Sequence, residues 1–361
     1  MGVIGPDRAD FGPLLSVIVP AYNSQTELKR CLAALAKSHY DDFEVWIVDD
    51  GSTVPIKPLA EAYGFGFMRI DGPSGPARAR NRGVEKACGR YVVFIDSDVC
   101  VHEDTLALFA EVFGRDPTVD AVVGSYDDAP ACPDFISQYK NLLHHYVHQN
   151  SRGEIQTFWG GCGAIKRDIF LALGGYDQQR YRRPAVEDIE LGMRMSEAGH
   201  KIILDSHIKA KHLKRWTFWN LLKTDVFDRG VPWTRLMLEL GVMIGSLNVT
   251  PVQRLSVGLV CLTFLEMFTS APEPAMLIAA AATALIVTLL NRDLYRFYLK
   301  QRGLLFTLRV VPMHWVYFLC CALSMLGGTL IHLFEWCRTR LLSIAAVRCV
   351  ASAIASKKSN S

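Results

Sequence analysis

Tyr91-Val-Val-Phe-Ile95, running directly into Asp96-Ser97-Asp98, is the stretch that decides the fold. Five consecutive β-branched or aromatic residues read as a strand buried on both faces, which belongs in a mostly parallel sheet covered by helices. Ligands of an open α/β sheet bind beyond the carboxyl ends of its strands, and here two carboxylates stand at that end. Residues two apart in extended chain point to one side, so Asp96 and Asp98 can converge on one hard cation. Mg²⁺ or Mn²⁺ favours a few carboxylates together with phosphate oxygens and water, so the pair points to a metal–diphosphate site.

Working outward, similar apolar runs predict strands at Leu15–Val19, Glu44–Val48, Gly66–Ile70 and Ala121–Gly124. Between them, Glu27–Ser38 carries Leu28, Leu32, Leu35 and Ala36 at helical spacing, and Ala77–Ala87 follows the helix-start signal Gly75-Pro76. The front of the chain is therefore an open, mostly parallel α/β domain. Its second predicted strand also ends in acids, Asp49-Asp50-Gly51-Ser52. Acids after a strand can simply cap the next helix, but two such motifs at neighbouring strand ends favour a binding site. No glycine-rich phosphate loop is present: the first strand meets Pro20-Ala21-Tyr22-Asn23, so a nucleotide would be held by metal and side chains. Further on, Val186-Glu187-Asp188 opens a helical pattern, where the helix dipole favours ionised carboxylates, the state a general base needs.

The chain has 361 residues, 50% of them apolar and only 21% charged, a balance that leaves room for membrane segments. A net charge of +3 gives no basic face, so nucleic acid is not an expected partner. The ten cysteines form no C-x-x-C pair and read as reduced packing residues. Residues 1–14 read as a tail without a secretory pattern, which leaves the front of the chain in the cytosol.

From Leu255 onward the composition changes. Leu255–Ala271 holds one charge, Glu266, and Pro274–Leu290 and Val310–Phe334 hold none, so three membrane helices are expected within residues 255–334. The connector 291–303 carries Arg292, Arg296, Lys300 and Arg302 against Asp293, which places it on the cytosolic side, and Leu294, Phe297, Tyr298 and Leu304 share a face as in an interfacial helix. Three crossings conflict with the basic tail 335–361, which they leave outside; either the last segment is re-entrant or the earlier charges dominate the orientation. Residues 236–254 read as an interfacial connector, and Trp216, Phe218 and Trp219 with Lys211, Lys214 and Arg215 as an aromatic-basic belt.

Taken in order, Val-Ile-Val-Pro-Ala-Tyr-Asn (17–23), Val-Asp-Asp-Gly-Ser (48–52), Ala-Arg-Asn-Arg-Gly (79–83), Asp-Ser-Asp (96–98), Gly-Gly-Cys-Gly-Ala-Ile (160–165) and Glu-Asp-Ile-Glu-Leu (187–191) resemble the family 2 glycosyltransferases of GT-A fold. The resemblance runs from about Ser16 to His212 and implies a cytosolic GT-A domain over residues 15–235. It implies that Pro20, Ala21 and Tyr22 line the nucleotide base, with Asp49 or Asp50 bonded to it and Arg80 on base or phosphates. Asp98 would be the chief metal ligand, Asp96 would serve ribose or metal, and Asp188, beside Glu187, would be the catalytic base. Gly160 and Gly161 would let backbone approach the sugar, and His212 would be a further metal or phosphate ligand, or else a packing residue. The processive members' Gln-x-x-Arg-Trp signature is replaced by Asp228-Arg-Gly-Val-Pro-Trp233, which weighs against a polymer synthase.

The expected activity is an inverting, metal-dependent transfer from a nucleotide-sugar, with a UDP-sugar the foremost donor, to a lipid or lipid-linked acceptor at the bilayer. Two rivals stand beside it. A haloacid-dehalogenase-type phosphatase also sets Asp-x-Asp at a strand end, but it leaves Asp49, Asp50, Glu187 and Asp188 without roles. A non-catalytic membrane scaffold would bind no nucleotide diphosphate.

Overall fold

A computed structural model describes residues 12–151, 153–242, 249–269 and 274–359. They hold one nine-stranded sheet: β1 (Leu15–Ala21), β2 (Phe43–Asp49), β3 (Gly66–Arg69), β4 (Tyr91–Ile95), β5 (Val99–Val101), β6 (Ala121–Tyr126), β7 (Gly153–Ile155), β8 (Cys162–Lys166) and β9 (Ile202–His212). The helices beside it are α1 (Gln25–Leu35), α2 (Lys57–Glu61), α3 (Pro76–Lys86), α4 (Thr105–Arg115), α5 (Phe135–Gln149), α6 (Arg167–Ala172) and α7 (Glu187–Glu197). There follow α8 (Phe218–Lys223), a wide turn over Thr224–Gly230, α9 (Val231–Leu240), α10 (Pro251–Thr269), α11 (Pro274–Leu290), α12 (Arg292–Arg302) and α13 (Leu304–Ser359).

The sheet order is β3-β2-β1-β4-β8-β6-β9-β5, with β7 on β9. The first four strands are parallel, as their continuous apolar runs predict: β1 pairs β2 from Leu15↔Phe43 to Ala21↔Asp49, and β4 from Leu15↔Tyr91. The second half departs from the mostly parallel expectation. β8 lies antiparallel between β4 and β6, and β9 pairs parallel with β6 but antiparallel with β5. β5 and β7 have three residues each, too short to leave a periodic signal. β9 has one, since its residues from Ile202 to His212 alternate between buried and partly or fully exposed.

The described parts of Met1–Leu221, Gly245–Arg254 and Asn291–Val311 form one compact unit. Its core lies between the sheet and its helices, with Val17, Val19, Val93 and Ile95 at or near zero exposure against Leu28 and Leu32 of α1 and Phe109 of α4. The connector helix α12 belongs to this unit. Sequence places its apolar face on the bilayer; in the structure Leu294, Tyr295 and Tyr298 are buried, and Tyr298 donates to the Tyr139 carbonyl of α5 at 2.7 Å. Phe297 stacks on His145, and Arg302 Nε donates to Gln138 Oε1 at 2.9 Å. Leu304, at 62% exposure, is the one member of the expected face that stays in the open.

The other unit takes the described parts of Leu222–Ile244, Leu255–Leu290 and Pro312–Ser361. Val260 of α10, Val287 of α11 and Phe318 of α13 form its small core. Gly230 allows close approach to α13, because a Cβ there would collide with the Ser324 side chain, and Arg235 pairs with Glu335 at 2.6 Å. Pro251–Phe268 and Leu304–Arg340 are long and apolar enough to cross a membrane; a third span exists only if α11 and α12, bent by 66°, count as one. Two helices rather than the expected three are thus long and apolar enough on their own. α11 has 17 residues, and at about 1.5 Å each they reach roughly 25 Å, short of a hydrocarbon core of about 30 Å. Ala271, the expected end of the first span, lies outside the described residues. From Glu335 the chain continues the same helix to Ser359.

Candidate active site

The carboxyl ends of β1, β2 and β4 gather the first half of the site. At the end of β2, Asp49 is fully buried: Oδ2 accepts from Arg69 Nη1 at 2.8 Å, and Oδ1 from the Ser52 amide at 2.8 Å. Asp50 accepts from the Ser74 amide and hydroxyl and from the Gly75 amide at 2.7 Å. Gly51 makes this turn possible, since its φ of +82° disfavours other residues and a Cβ would meet the Gly72 backbone at 2.9 Å. Both carboxylates are therefore engaged inside the protein, Asp49 by its own turn and by β3, and Asp50 by the loop that leads into α3. Pro20 and Ala21 are buried at the end of β1, whereas Tyr22 is 45% exposed and presents its ring at the strand end.

At the end of β4, Asp96 and Asp98 are half-buried and go to different partners. Asp96 Oδ1 accepts from Arg80 Nη2 at 2.6 Å, and Asp98 Oδ2 faces His212 Nε2 at 3.4 Å. Burial alone would raise the Asp98 carboxyl, but the His212 imidazole and the Lys214 ammonium outweigh it and hold it below the usual carboxylate range. His212 is buried at the end of β9, its ring stacked on Tyr126 at 4.3 Å.

Arg80 joins the two halves. Its guanidinium, 5% exposed, donates through Nη2 to Asp96 and through Nη1 to Glu187 Oε1 at 3.0 Å, and it lies over the Tyr176 ring. The guanidinium is enclosed and braces two carboxylates 91 residues apart in sequence, Asp96 and Glu187. Gly160 gives it room, since a Cβ there would sit 3.2 Å from Arg80 Cζ and 3.1 Å from the Tyr176 hydroxyl. The Gly160 amide donates to Asp188 Oδ2 at 3.0 Å, while Asp188 Oδ1 accepts from the Ile189 amide at 2.8 Å. Asp188 is half-buried in the first turn of α7, beside a Glu187 that is 5% exposed and also accepts from the Ala185 amide. At Gly161 a Cβ would strike the Trp159 ring at 2.9 Å.

The fold thus brings Arg80, Asp96, Gly160, Glu187 and Asp188 into one bonded cluster and sets Asp98 with His212. Among the described residues no three His, Cys, Asp or Glu side chains already form a metal cluster, because Asp96 is turned toward Arg80. The donor set still fits a divalent cation completed by ligand oxygens. Asn141 Nδ2 donates to the Lys214 carbonyl, so its oxygen faces His212 Nδ1 at 2.6 Å, and Nε2 is the nitrogen presented with the Asp98 carboxylate. Sequence reading missed Asn141 and Tyr176. The only signal for Asn141 was an amide among the residues α5 buries, Leu142 and Leu143 beside it. Trp216 corrects the aromatic belt: at 1% exposure, under the Lys214 ammonium, it is a core residue, whereas Phe218 and Trp219 are exposed at 37% and 76%.

The glycosyl transferase family 2 model matches residues 16–174, which run from β1 through β8 of the open mixed sheet. The glycosyltransferase GlyG of Streptococcus pneumoniae serotype 4 is 34% identical over 119 residues, 31% of this chain and 39% of that one. An N-acetylglucosaminyltransferase of Neorhizobium galegae is 27% identical over 207 residues, 52% of this chain and 48% of that one. The chain therefore spans about half the length, or less, of these curated relatives. Among solved structures, the mannosyltransferase PcManGT from Pyrobaculum calidifontis in complex with GDP-Man and Mn²⁺ is 17% identical, with a TM-score of 0.49 over 90% of this chain and 88% of that one.

Proposed function

We propose that the chain is an inverting, membrane-attached glycosyltransferase that moves a sugar from a nucleotide-sugar, with UDP-sugars first to be tested, to a lipid or lipid-linked acceptor. The observation that carries this reading is the Arg80 bridge, which ties Asp96 of the strand-end pair to Glu187 of the helix-start pair at 2.6 and 3.0 Å. A phosphatase of the Asp-x-Asp kind leaves Glu187 and Asp188 without roles. Acceptor activation at Asp188 and donor placement at Asp96-Ser97-Asp98 both gain from a fixed mutual distance.

In this reading Tyr22 packs against the base, with Pro20 and Ala21 shaping the floor, and Asp49 and Asp50 hold the loop that frames it. Asp98 and His212 would hold a Mg²⁺ or Mn²⁺ ion together with the donor's diphosphate, and the ion would neutralise the leaving group as a Lewis acid. Asp188 takes the proton from the attacking acceptor hydroxyl, and its two backbone donors keep it aimed. Arg80 keeps Asp96 and Glu187 in place. The exposed Trp219 and Phe218 and the apolar α10 and α13 support attachment to a bilayer, and Arg292, Arg296, Lys300 and Arg302 support a cytosolic catalytic domain.

A screen of nucleotide-sugars for hydrolysis by the purified full-length chain, with Mn²⁺ and with EDTA, tests the proposal. Metal-dependent release of a nucleoside diphosphate from one donor class is expected. Release of inorganic phosphate from a generic phosphomonoester instead would favour the phosphatase.

A further inference from the structure

Helix α5 carries no motif, yet it stands between the connector helix and the site. Its N-terminus is set by Asp134, which accepts from the Ser137 amide at 3.0 Å. One face receives α12: the Tyr298 hydroxyl, fully buried, donates to the Tyr139 carbonyl at 2.7 Å, and Arg302 holds Gln138. A helical carbonyl has a second lone pair, so this bond adds to the helix ladder without replacing one of its rungs. Half a turn further on, Asn141 is 1% exposed and meets His212 Nδ1 at 2.6 Å. The imidazole is then fixed on three sides, by the Tyr126 ring at 4.3 Å, by Asn141 behind and by Asp98 in front at 3.4 Å.

A buried amide is costly unless its bonds are made, and an apolar side chain at position 141 would fill the same space without that cost. What the amide adds is orientation. It leaves His212 one tautomer, with the Nδ1 proton on Asn141 and Nε2 turned to the carboxylate. Imidazoles that bind metals are oriented in this way by a partner on the far nitrogen.

We propose that Asn141 is a positioning residue that presents His212 Nε2 to the cation held with Asp98, and that α12, through Tyr298, braces the helix on which Asn141 stands. The segment joining α11 to α13 thereby becomes part of the cation site, although it supplies no ligand. The inference rests on the reading of Asp98 and His212 as the cation-holding pair.

The test is titration of full-length protein with Mn²⁺ in the presence of UDP, following free Mn²⁺ by electron paramagnetic resonance. Asn141→Leu is expected to raise the Mn²⁺ dissociation constant about 10- to 100-fold, the usual range for losing an outer partner of a ligating histidine. Asn141→Asp keeps an acceptor and retains wild-type affinity. Tyr298→Phe, which keeps the ring packing and tests the brace even where Asn141→Leu does not fold, weakens binding a few-fold, about the effect of one neutral hydrogen bond. In a His212→Ala background, Asn141→Leu has no further effect. Wild-type affinity in both Asn141→Leu and Tyr298→Phe, or an equal loss when His212 is already gone, would overturn the positioning role. A wild-type protein with no Mn²⁺-dependent UDP binding would instead overturn the reading of the site, and this inference with it.

Discussion

Two pairs of acids end two strands of the same sheet and do different work. Asp49 and Asp50 are 0% and 4% exposed and are held by backbone amides, the Ser74 hydroxyl and Arg69, whereas the side chains of Asp96 and Asp98 keep 35% and 28% exposure. The first pair has its lone pairs engaged by fixed donors, and the second, more exposed, faces a guanidinium and an imidazole. On the proposed reading, carboxylates that shape a cradle and carboxylates that would bind a cation differ in what already surrounds them, not in their position along the strand.

The largest effect is expected at Asp188, which resembles the second pair in its half-buried state. Asp188→Asn keeps the shape and removes the base, so transfer should fall about 10²- to 10⁴-fold with donor affinity near wild type. Steady-state kinetics beside nucleotide titration separate the two. Lost donor binding in a folded protein would move Asp188 from reacting group to binding group.

Asp50→Ala sharpens the contrast from the other side. It strands the buried amides of Ser74 and Gly75, and unpaired donors of this kind cost about 1–3 kcal/mol each. A lowered melting temperature, with nucleotide binding weakened equally in Mn²⁺ and in EDTA, is the expected result. A loss confined to Mn²⁺ would put Asp50 among the cation-facing acids.

A smaller effect is expected from the connector. A chain ending at Thr250 lacks α12 and bares the α5 face that Tyr298 and Phe297 cover, so it should melt at lower temperature than the full chain and bind Mn²⁺ less tightly with UDP. Equal stability would mean that α12 adds nothing to the fold it rests on.

The parallel half of the sheet was legible because β1 and β4 are buried along their whole length, and β2 over its C-terminal part, and so read as apolar runs. β8 was not: Cys-Gly-Ala-Ile-Lys has too little bulk to stand out, and its antiparallel pairing with β4 is decided by the chain's path. The carboxylates were legible as types at strand ends. Their division of labour was not, since it depends on Ser74, Arg80 and His212 arriving from other elements. The apolar stripe of α12 was read correctly as a stripe and assigned the wrong neighbour, because a helix face that fits a bilayer also fits another helix.

The contrast between the two acid pairs is tested most directly by isothermal titration of UDP into wild type, Asp98→Ala and Asp50→Ala, each in Mn²⁺ and in EDTA. If Asp98 acts through the cation as proposed, its removal should abolish most of the gain in affinity that Mn²⁺ gives wild type and leave the EDTA value unchanged. Asp50→Ala should lower both values and keep their ratio. An Asp98→Ala protein whose Mn²⁺-dependent UDP affinity equals that of wild type would contradict the account.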